Sequence, residues 1–77
     1  MEVVGAFARI EPGTLDKVVE RLEKIDGVST FDLDDPGKVG LLIEAEDADS
    51  AHAKLTREIR NTEDVWGVWP VYMENTV

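Results

Sequence analysis

Few side chains in this sequence have the type and spacing that chemistry requires. His52 is the single histidine, and its predicted position on the exposed side of a helix favours a solvated residue over a general base or a metal ligand. The absence of cysteine excludes disulfides, thiolate metal sites and cysteine nucleophiles. A serine or threonine nucleophile needs a nearby histidine base, and we expect none at a plausible distance from the hydroxyl groups of Ser29, Thr30 and Ser50.

The carboxylates of Asp32, Asp34 and Asp35 are grouped as a cation site would require. Their spacing matches no complete calcium-binding loop, and the sequence Asp-Asp-Pro-Gly at 34–37 is typical of a solvated turn. The glycines form no phosphate-binding motif. We therefore predict that the protein is not an enzyme and that it holds no metal and no cofactor.

Length and charge limit the class of protein. The chain has 77 residues, which predicts one domain over residues 1–77, near the lower size limit for a single hydrophobic core. The formal net charge of −9 disfavours nucleic acid as a partner, because phosphates need Lys and Arg. The charge suits a basic partner, and solubility or salt adaptation explains it equally well. The first residues are neither a secretory signal nor a membrane span, which predicts a cytoplasmic location without membrane insertion.

Hydrophobic periodicity predicts a strand–helix–strand unit written twice. We expect Thr14 to cap the first helix and Gly27 to end it in the left-handed conformation. The predicted order is an α+β, ferredoxin-like sandwich, in which a four-stranded antiparallel sheet of order 4-1-3-2 carries two helices on one face. The predicted elements are β1 (Val3–Ile10), α1 (about Thr14–Asp26), β2 (Val28–Leu33), β3 (Lys38–Ala45), α2 (about Ala48–Asn61), β4 (Val65–Met73) and a tail at residues 74–77.

Charged residues indicate which side of each central strand faces the helices. Arg9 on β1 and Glu44 on β3 should avoid the core, so they fix the alternation of both strands. On β4 we expect Val68 and Tyr72 to point inward, an assignment that one β-bulge would reverse. The residues of the central strands predicted to face the helices are Val4, Ala6, Ala8, Ile10, Val39, Leu41, Ile43 and Ala45.

The side of the sheet without helices, named here the open face, is predicted to be apolar. Gly5 and Gly40 lie on adjacent strands and should lower its middle into a shallow trough. A contiguous exposed apolar patch usually marks an interaction site. The residues alone leave two occupants open, a second copy of the chain in a homodimer or a foreign ligand. The apolar side chains expected on this face are Phe7, Phe31, Leu33, Leu42, Trp69, Val71 and Met73.

Three segments carry a resemblance to a known family. Residues 37–47, Gly-Lys-Val-Gly-Leu-Leu-Ile-Glu-Ala-Glu-Asp, contain a Gly-Lys/Gln-apolar-Glu-Ala-Glu pattern. Residues 25–28 form a helix-ending turn, and residues 59–72 a last helix and a final strand that ends in Val-Tyr. All three resemble the NapD family, and the resemblance extends from Val3 to Glu74. Met73 differs, because that family often has a histidine there.

This resemblance implies a cytoplasmic assembly chaperone for the periplasmic nitrate reductase. NapD-like proteins bind the twin-arginine signal peptide of a molybdenum-cofactor enzyme precursor on the open side of the sheet. They hold the precursor back from the Tat translocase until the cofactor is loaded. Phe7, Leu42 and Trp69 would contact the apolar part of the peptide, and Glu44 would attract its arginines. The full set of expected peptide-binding residues is Phe7, Phe31, Leu33, Leu42, Glu44, Trp69, Val71 and Met73.

A stand-alone effector domain of the Lrp/AsnC type is the alternative function. Such domains share this fold, oligomerise through their sheets and bind small molecules such as amino acids between subunits. They usually carry a Gly-x-Tyr/Phe-Asp-like element before the third strand, where this chain has Asp-Pro-Gly-Lys-Val at 35–39. That difference favours the chaperone.

Overall fold

The computed structural model describes residues 1–75. Its strands form one antiparallel sheet in the order β2-β3-β1-β4, which is the predicted order 4-1-3-2 counted from the other edge. The α+β, ferredoxin-like fold is therefore confirmed. The elements are β1 (Glu2–Ile10), α1 (Leu15–Glu23), β2 (Val28–Asp32), β3 (Lys38–Ala45), α2 (Ala48–Ala53) continued by a π-helix (Lys54–Ile59), and β4 (Val65–Asn75).

The hydrophobic core lies between the two central strands and the helices. Alternate residues of β1 and β3 are buried, as the positions of Arg9 and Glu44 predict, and both of these charged residues are exposed. Burying alternate side chains of a strand on one side only is the expected result of a period of two. The buried hydrophobic residues of the two central strands are Val4, Ala6, Ala8, Ile10, Val39, Leu41, Ile43 and Ala45; β2 adds Val28, and the helices contribute Val18, Leu22, Ala51, Leu55 and Ile59.

Helix α1 is shorter than predicted at its carboxyl end. The backbone N–H groups of Lys24 and Ile25 donate to carbonyls three residues earlier, so the last turn tightens and the regular helix stops at Glu23. Gly27 has a φ of 80°, which confirms the predicted left-handed residue after the helix. Thr14 does not cap the helix through its side chain, because its hydroxyl donates instead to the carbonyl of Glu11.

The second helix changes its winding along its length. Asp47 caps α2, since its carboxylate accepts a hydrogen bond of 2.8 Å from the backbone N–H of Ser50. From Lys54 onward the helix is a π-helix, in which the N–H of Arg60 donates to the carbonyl five residues earlier. Ala48, the first residue after the cap, is exposed, and the first buried residue of the helix is Ala51.

Strand β4 contains two irregularities that the alternating pattern does not reveal. Its register against β1 shifts between Gly5 and Ala6 and again between Arg9 and Ile10. The first shift pairs Tyr72 with Gly5 and Met73 with Val4. Since Val4 points to the helices, the expectation that Met73 faces outward and Tyr72 inward is wrong.

The ends of the two edge strands also differ slightly from the prediction. Strand β2 stops at Asp32, so Leu33 follows the strand and is exposed. Strand β4 continues beyond Met73, and Glu74, predicted to belong to the tail, is paired with Val3. The last two residues of the predicted tail, 76 and 77, lie outside the described residues.

Candidate functional site

The sheet register divides the open face into four rungs of neighbouring side chains. Residues paired across antiparallel strands point to the same side, so the partners of β1 on β3 and β4 define each rung. Successive rungs are two residues apart along β1, or roughly 6.6 Å. In order along β1 the rungs are Glu44–Val3–Glu74, Leu42–Gly5–Tyr72, Gly40–Phe7–Trp69 and Lys38–Arg9–Gly67.

A stacked aromatic pair forms the centre of the open face. The ring centroids of Phe7 and Trp69 are 5.3 Å apart, and their planes are inclined by 21°, which is a favourable stacked arrangement. The Nζ atom of Lys38 lies 5.6 Å from the centroid of the Phe7 ring, within the range of a cation–π contact. These contacts fix the Phe7 ring from the open side of the sheet, without help from the helices.

Glycines allow aromatic rings to lie directly on the sheet. A Cβ atom at Gly5 or Gly40 would collide with the ring above it, and a Cβ atom at Gly67 would lie 2.7 Å from the ring there. Covering a strand glycine with a ring restores packing that the missing side chain cannot supply. The three pairs are Tyr72 over Gly5, Phe31 over Gly40 and Trp69 over Gly67.

An apolar depression of ≈ 250 Å³ lies on the open face. Phe31 and Leu33 border it on the β2 side, and Val71 and Tyr72 border it on the β4 side. The Phe31 and Tyr72 rings lean over the glycines, so the depression is narrower than the bare glycines alone would make it. The sequence-predicted trough is therefore present, with aromatic walls rather than an open floor. Its lining residues are Gly5, Ala6, Phe7, Phe31, Leu33, Val71 and Tyr72.

Five large apolar side chains that the fold leaves exposed border this face, whereas Trp66 and Met73 are exposed elsewhere. Tyr72 is 51% exposed, Phe31 49% and Trp69 44%. Leu33 and Val71, which line the depression beside these rings, are exposed as well. A continuous apolar surface of this kind on a small protein usually marks a binding site.

Charges of opposite sign lie at the two ends of the open face. Glu44 and Glu74 flank Val3 on the first rung, and both are exposed. Arg9 and Lys38 are paired on the last rung. The apolar centre is therefore bounded by an acidic rung (Glu44, Glu74) and a basic rung (Arg9, Lys38).

The structure brings most of the predicted binding residues together. Phe7, Trp69 and Leu42 lie on the two middle rungs, and Phe31, Leu33 and Val71 border the same surface. Glu44 lies at its acidic end. Met73 pairs with inward-pointing Val4 and so is directed to the side of the helices.

Sequence reasoning missed two residues of this surface. Alternation assigns Tyr72 to the core and Glu74 to the tail, yet both lie on the open face by register. The one signal for this was Pro70, which cannot donate to the ladder and is tolerated at edges and bulges. Pro70 pairs with Ala6 next to the first register shift.

The polar side chains that the sequence suggests for chemistry are exposed or take part in a turn. His52 is exposed on α2, as predicted. The carboxylates of Asp32 and Asp35 accept hydrogen bonds of 2.8 Å from the backbone N–H groups of Asp34 and Gly37, so they shape the β2–β3 turn. Among residues 1–75, no group of three or more histidine and acidic side chains is arranged to hold a metal ion.

One carboxyl group has a shifted pKa for a structural reason. Hydrogen bonds from the backbone N–H and then the hydroxyl of Ser50 lower the pKa of Asp47, against a small opposing effect of burial. This is the cap of α2, on the helix side of the sheet. The shift therefore reports helix capping rather than a reactive site.

Both edges of the sheet are poor templates for an added strand. On β4, Pro70 lacks a donor and two bulges interrupt the register. On the other side β2 has only 5 residues. Neither edge of the sheet therefore offers a long, regular row of backbone donors and acceptors.

Comparison with known proteins identifies the family. Residues 1–76 match the family model described as NapD protein, whereas comparison with curated proteins and with solved structures gave no match. Within residues 1–75, no helix combines the length and apolar character that crossing a bilayer requires. The match covers the sheet, both helices and the whole open face, and so this chain belongs to the NapD family, a family of nitrate reductase assembly chaperones rather than of enzymes.

Proposed function

We propose that this protein binds the twin-arginine signal peptide of a molybdoenzyme precursor on its open face. Binding would delay export through the Tat translocase until the cofactor is inserted. The observation that carries the proposal is the continuous exposed apolar surface on the side of the sheet without helices. The residues proposed to bind the peptide are Phe7, Phe31, Leu33, Leu42, Glu44, Trp69 and Val71, with Tyr72 in place of Met73.

The peptide binds as an amphipathic helix laid across the face. Neither edge supports strand addition, because β4 is bulged at Pro70 and β2 is short. A helix can place one apolar stripe over the rings of Phe7 and Trp69 and leave its polar side to solvent. The apolar run that follows the arginine pair of such a signal supplies that stripe.

Charge supports the same partner. The chain carries a net charge of −9, which attracts a cationic peptide and raises the rate of encounter. Because signal peptides of this class act before export, the proposed binding takes place in the cytoplasm. The same acidic surface disfavours binding to nucleic acid.

Calorimetric titration tests the proposal. The probe is a synthetic peptide with an adjacent arginine pair before an apolar run, and we expect saturable binding with one peptide per chain. Leu42→Asp places a charge in the middle of the open face and should abolish this binding. The matched control is Trp66→Asp, at an exposed aromatic residue of β4 outside the four rungs, which should bind normally.

Two results would contradict the proposal. Peptide binding that survives Leu42→Asp while both variants remain folded by circular dichroism would exclude the open face. A stable homodimer by light scattering that buries this face and does not respond to the peptide would favour a second copy of the chain as its occupant.

An export assay tests the proposed delay itself. A reporter fused to the peptide should be exported more slowly when the wild-type protein is present, and this effect should be lost with Leu42→Asp.

A further inference from the structure

The open face has a direction as well as an apolar centre. The acidic rung contains Glu44 and Glu74, and the basic rung contains Arg9 and Lys38. The two rungs are six residue steps apart along β1, from Val3 to Arg9, a distance of roughly 20 Å in an extended strand. A helix of about 13 residues covers that length.

We infer that the peptide helix binds in one direction, with its arginine-bearing amino end over Glu44 and Glu74 and its carboxyl end over Arg9 and Lys38. This inference rests on the proposed function, since it assumes that a helical peptide with amino-terminal arginines occupies the open face. It adds the orientation of the peptide and assigns a role to the two basic residues. Their positive charge would otherwise oppose the binding of a cationic ligand.

Two independent features of the peptide favour the same direction. The arginine pair precedes the apolar run, so the guanidinium groups reach the acidic rung when the amino end lies near Val3. The helix dipole places partial positive charge at the amino end and partial negative charge at the carboxyl end. In the reverse direction both interactions become unfavourable. The arginines then face Arg9 and Lys38, and the negative end of the helix dipole faces Glu44 and Glu74.

The basic rung is not neutralised by an ion pair: among residues 1–75, neither Arg9 nor Lys38 forms one. The ammonium group of Lys38 lies over the Phe7 ring, on the open face rather than at the acidic turn before β3. The carboxylates of Asp32 and Asp35 in that turn accept backbone N–H groups. Below the sheet, at the start of β4, the acidic side chains Glu63 and Asp64 form ion pairs of 3.1 Å with Arg21.

The basic side chains of the helix layer near the acidic rung are likewise directed to other groups. The ammonium group of Lys54 donates to the carbonyl of Asp26 at 2.6 Å. Lys24 lies 3.8 Å from Glu20 on α1. The carboxylates of Glu44 and Glu74 are therefore the charges that a ligand over the first rung meets.

The size of the preference follows from the number of contacts that change. An exposed pair of charges changes an affinity by about 1.5- to 5-fold. The two directions differ at both ends of the helix, so several such factors multiply. We expect the favoured direction to be populated at least about tenfold over the reverse.

Paramagnetic relaxation enhancement measures the direction. The probe is the arginine-pair peptide with a nitroxide attached in turn to its amino and carboxyl end, titrated into isotopically labelled protein. The amino-terminal label should broaden the amide signals of Val3, Glu44 and Glu74. The carboxyl-terminal label should broaden those of Arg9 and Lys38.

Charge exchange gives a second readout. The quadruple variant with Glu44→Lys, Glu74→Lys, Arg9→Glu and Lys38→Glu keeps the apolar centre and the net charge, and it should reverse the pattern of broadening. Glu58→Gln, on the helix side, is the control and should leave the pattern unchanged. In the wild type, broadening at the opposite ends, or equal broadening at both ends with each label, would overturn the inference while leaving the proposed function intact. Absence of any binding by this peptide would overturn the proposed function, and the inference with it.

Discussion

Replacement of Trp69 by alanine is the most informative test of the open face. Trp69 lies on the third rung, beside Phe7. Its ring stacks on that of Phe7 with the centroids 5.3 Å apart, and 44% of the residue is exposed. The exposed part is the surface that a bound helix would cover. The buried part contributes to the stacked pair, which lies outside the hydrophobic core under the helices.

The exposed area sets the magnitude of the effect. A tryptophan presents roughly 200–250 Å², so the exposed 44% corresponds to about 100 Å². At about 25 cal/mol per Å², covering that area is worth about 2.5 kcal/mol. Incomplete coverage and the ordering of the peptide reduce this to about 1–2 kcal/mol, which predicts a rise in Kd of roughly 5- to 30-fold for Trp69→Ala.

The matched control lies on the same strand. Trp66 is 61% exposed and lies in a depression on the helix side of β4 that also includes His52 and Leu55 and that the Trp69 side chain borders. Trp66 belongs to none of the four rungs, whereas Trp69 stacks on Phe7 in the third rung. Trp66→Ala removes the same side chain from outside the four rungs and should change Kd by less than about twofold. Calorimetric titration of both variants with the arginine-pair peptide measures the difference, and thermal unfolding verifies that each is folded. Equal losses in the two variants, or a loss confined to Trp66→Ala, would place the binding site at the outer edge of β4 instead of on the open face.

Four further outcomes are expected. Tyr72→Ala should raise the Kd for the peptide about tenfold and Met73→Ala by less than about twofold, as titration would measure; the opposite order would contradict the bulged register. Gly40→Ala should displace the Phe31 ring and raise Kd about threefold with the fold retained, visible as a shift of the ring signals by NMR; unchanged ring signals would contradict the ring–glycine contact. Raising NaCl from about 50 mM to about 500 mM should weaken binding roughly three- to tenfold, because charges contribute to it; an unaffected Kd would remove the electrostatic part. Because folding lowers the pKa of Asp47, its stabilising effect is present above the usual aspartate pKa and is lost as pH falls through the folded pKa. The thermal midpoints of wild type and Asp47→Ala should therefore differ at neutral pH and converge in acid.

The central half of the fold could be predicted because charge and alternation agree there. Arg9 and Glu44 each forbid one side of their strand, and every second residue of β1 and β3 is then buried. The fixed period of a strand carries such a local constraint along its whole length. The same constraint is enough to place Phe7 and Leu42 on the open face from the sequence alone.

The edge strand could not be predicted in the same way. A bulge inserts one residue without changing composition, so the sequence of β4 looks regular on either side of the shift near Pro70. Tyr72 and Met73 exchange faces as a result. Extending the alternation of faces from Val68 assigns Tyr72 and Met73 to the wrong sides of the sheet, because both follow the bulge. Trp69 precedes the bulge, and the alternation assigns it correctly to the open face.

The open face has acidic side chains at one end and basic side chains at the other, and these residues come from separate stretches of the sequence. Glu44 is on β3 and Glu74 near the end of β4, 30 positions apart in the chain, and only pairing with Val3 makes them neighbours. Arg9 and Lys38 meet by the same mechanism. A charge pattern of this kind belongs to the register, which is why it is visible in the folded sheet and not in the sequence.

Folding depends mainly on the helix side of the sheet, and the proposed binding depends on the open face. Substitutions on the open face can therefore change binding without a large change in stability. The core that holds the domain together lies under the helices, where residues such as Val4, Leu22 and Ile43 are fully buried. The rings of the open face pack on glycines and on one another, so folding does not require them to contact that core. Truncating Trp69 or Tyr72 should therefore cost binding far more than stability. In a protein whose apolar face existed only to complete a marginal core, both properties would fall together.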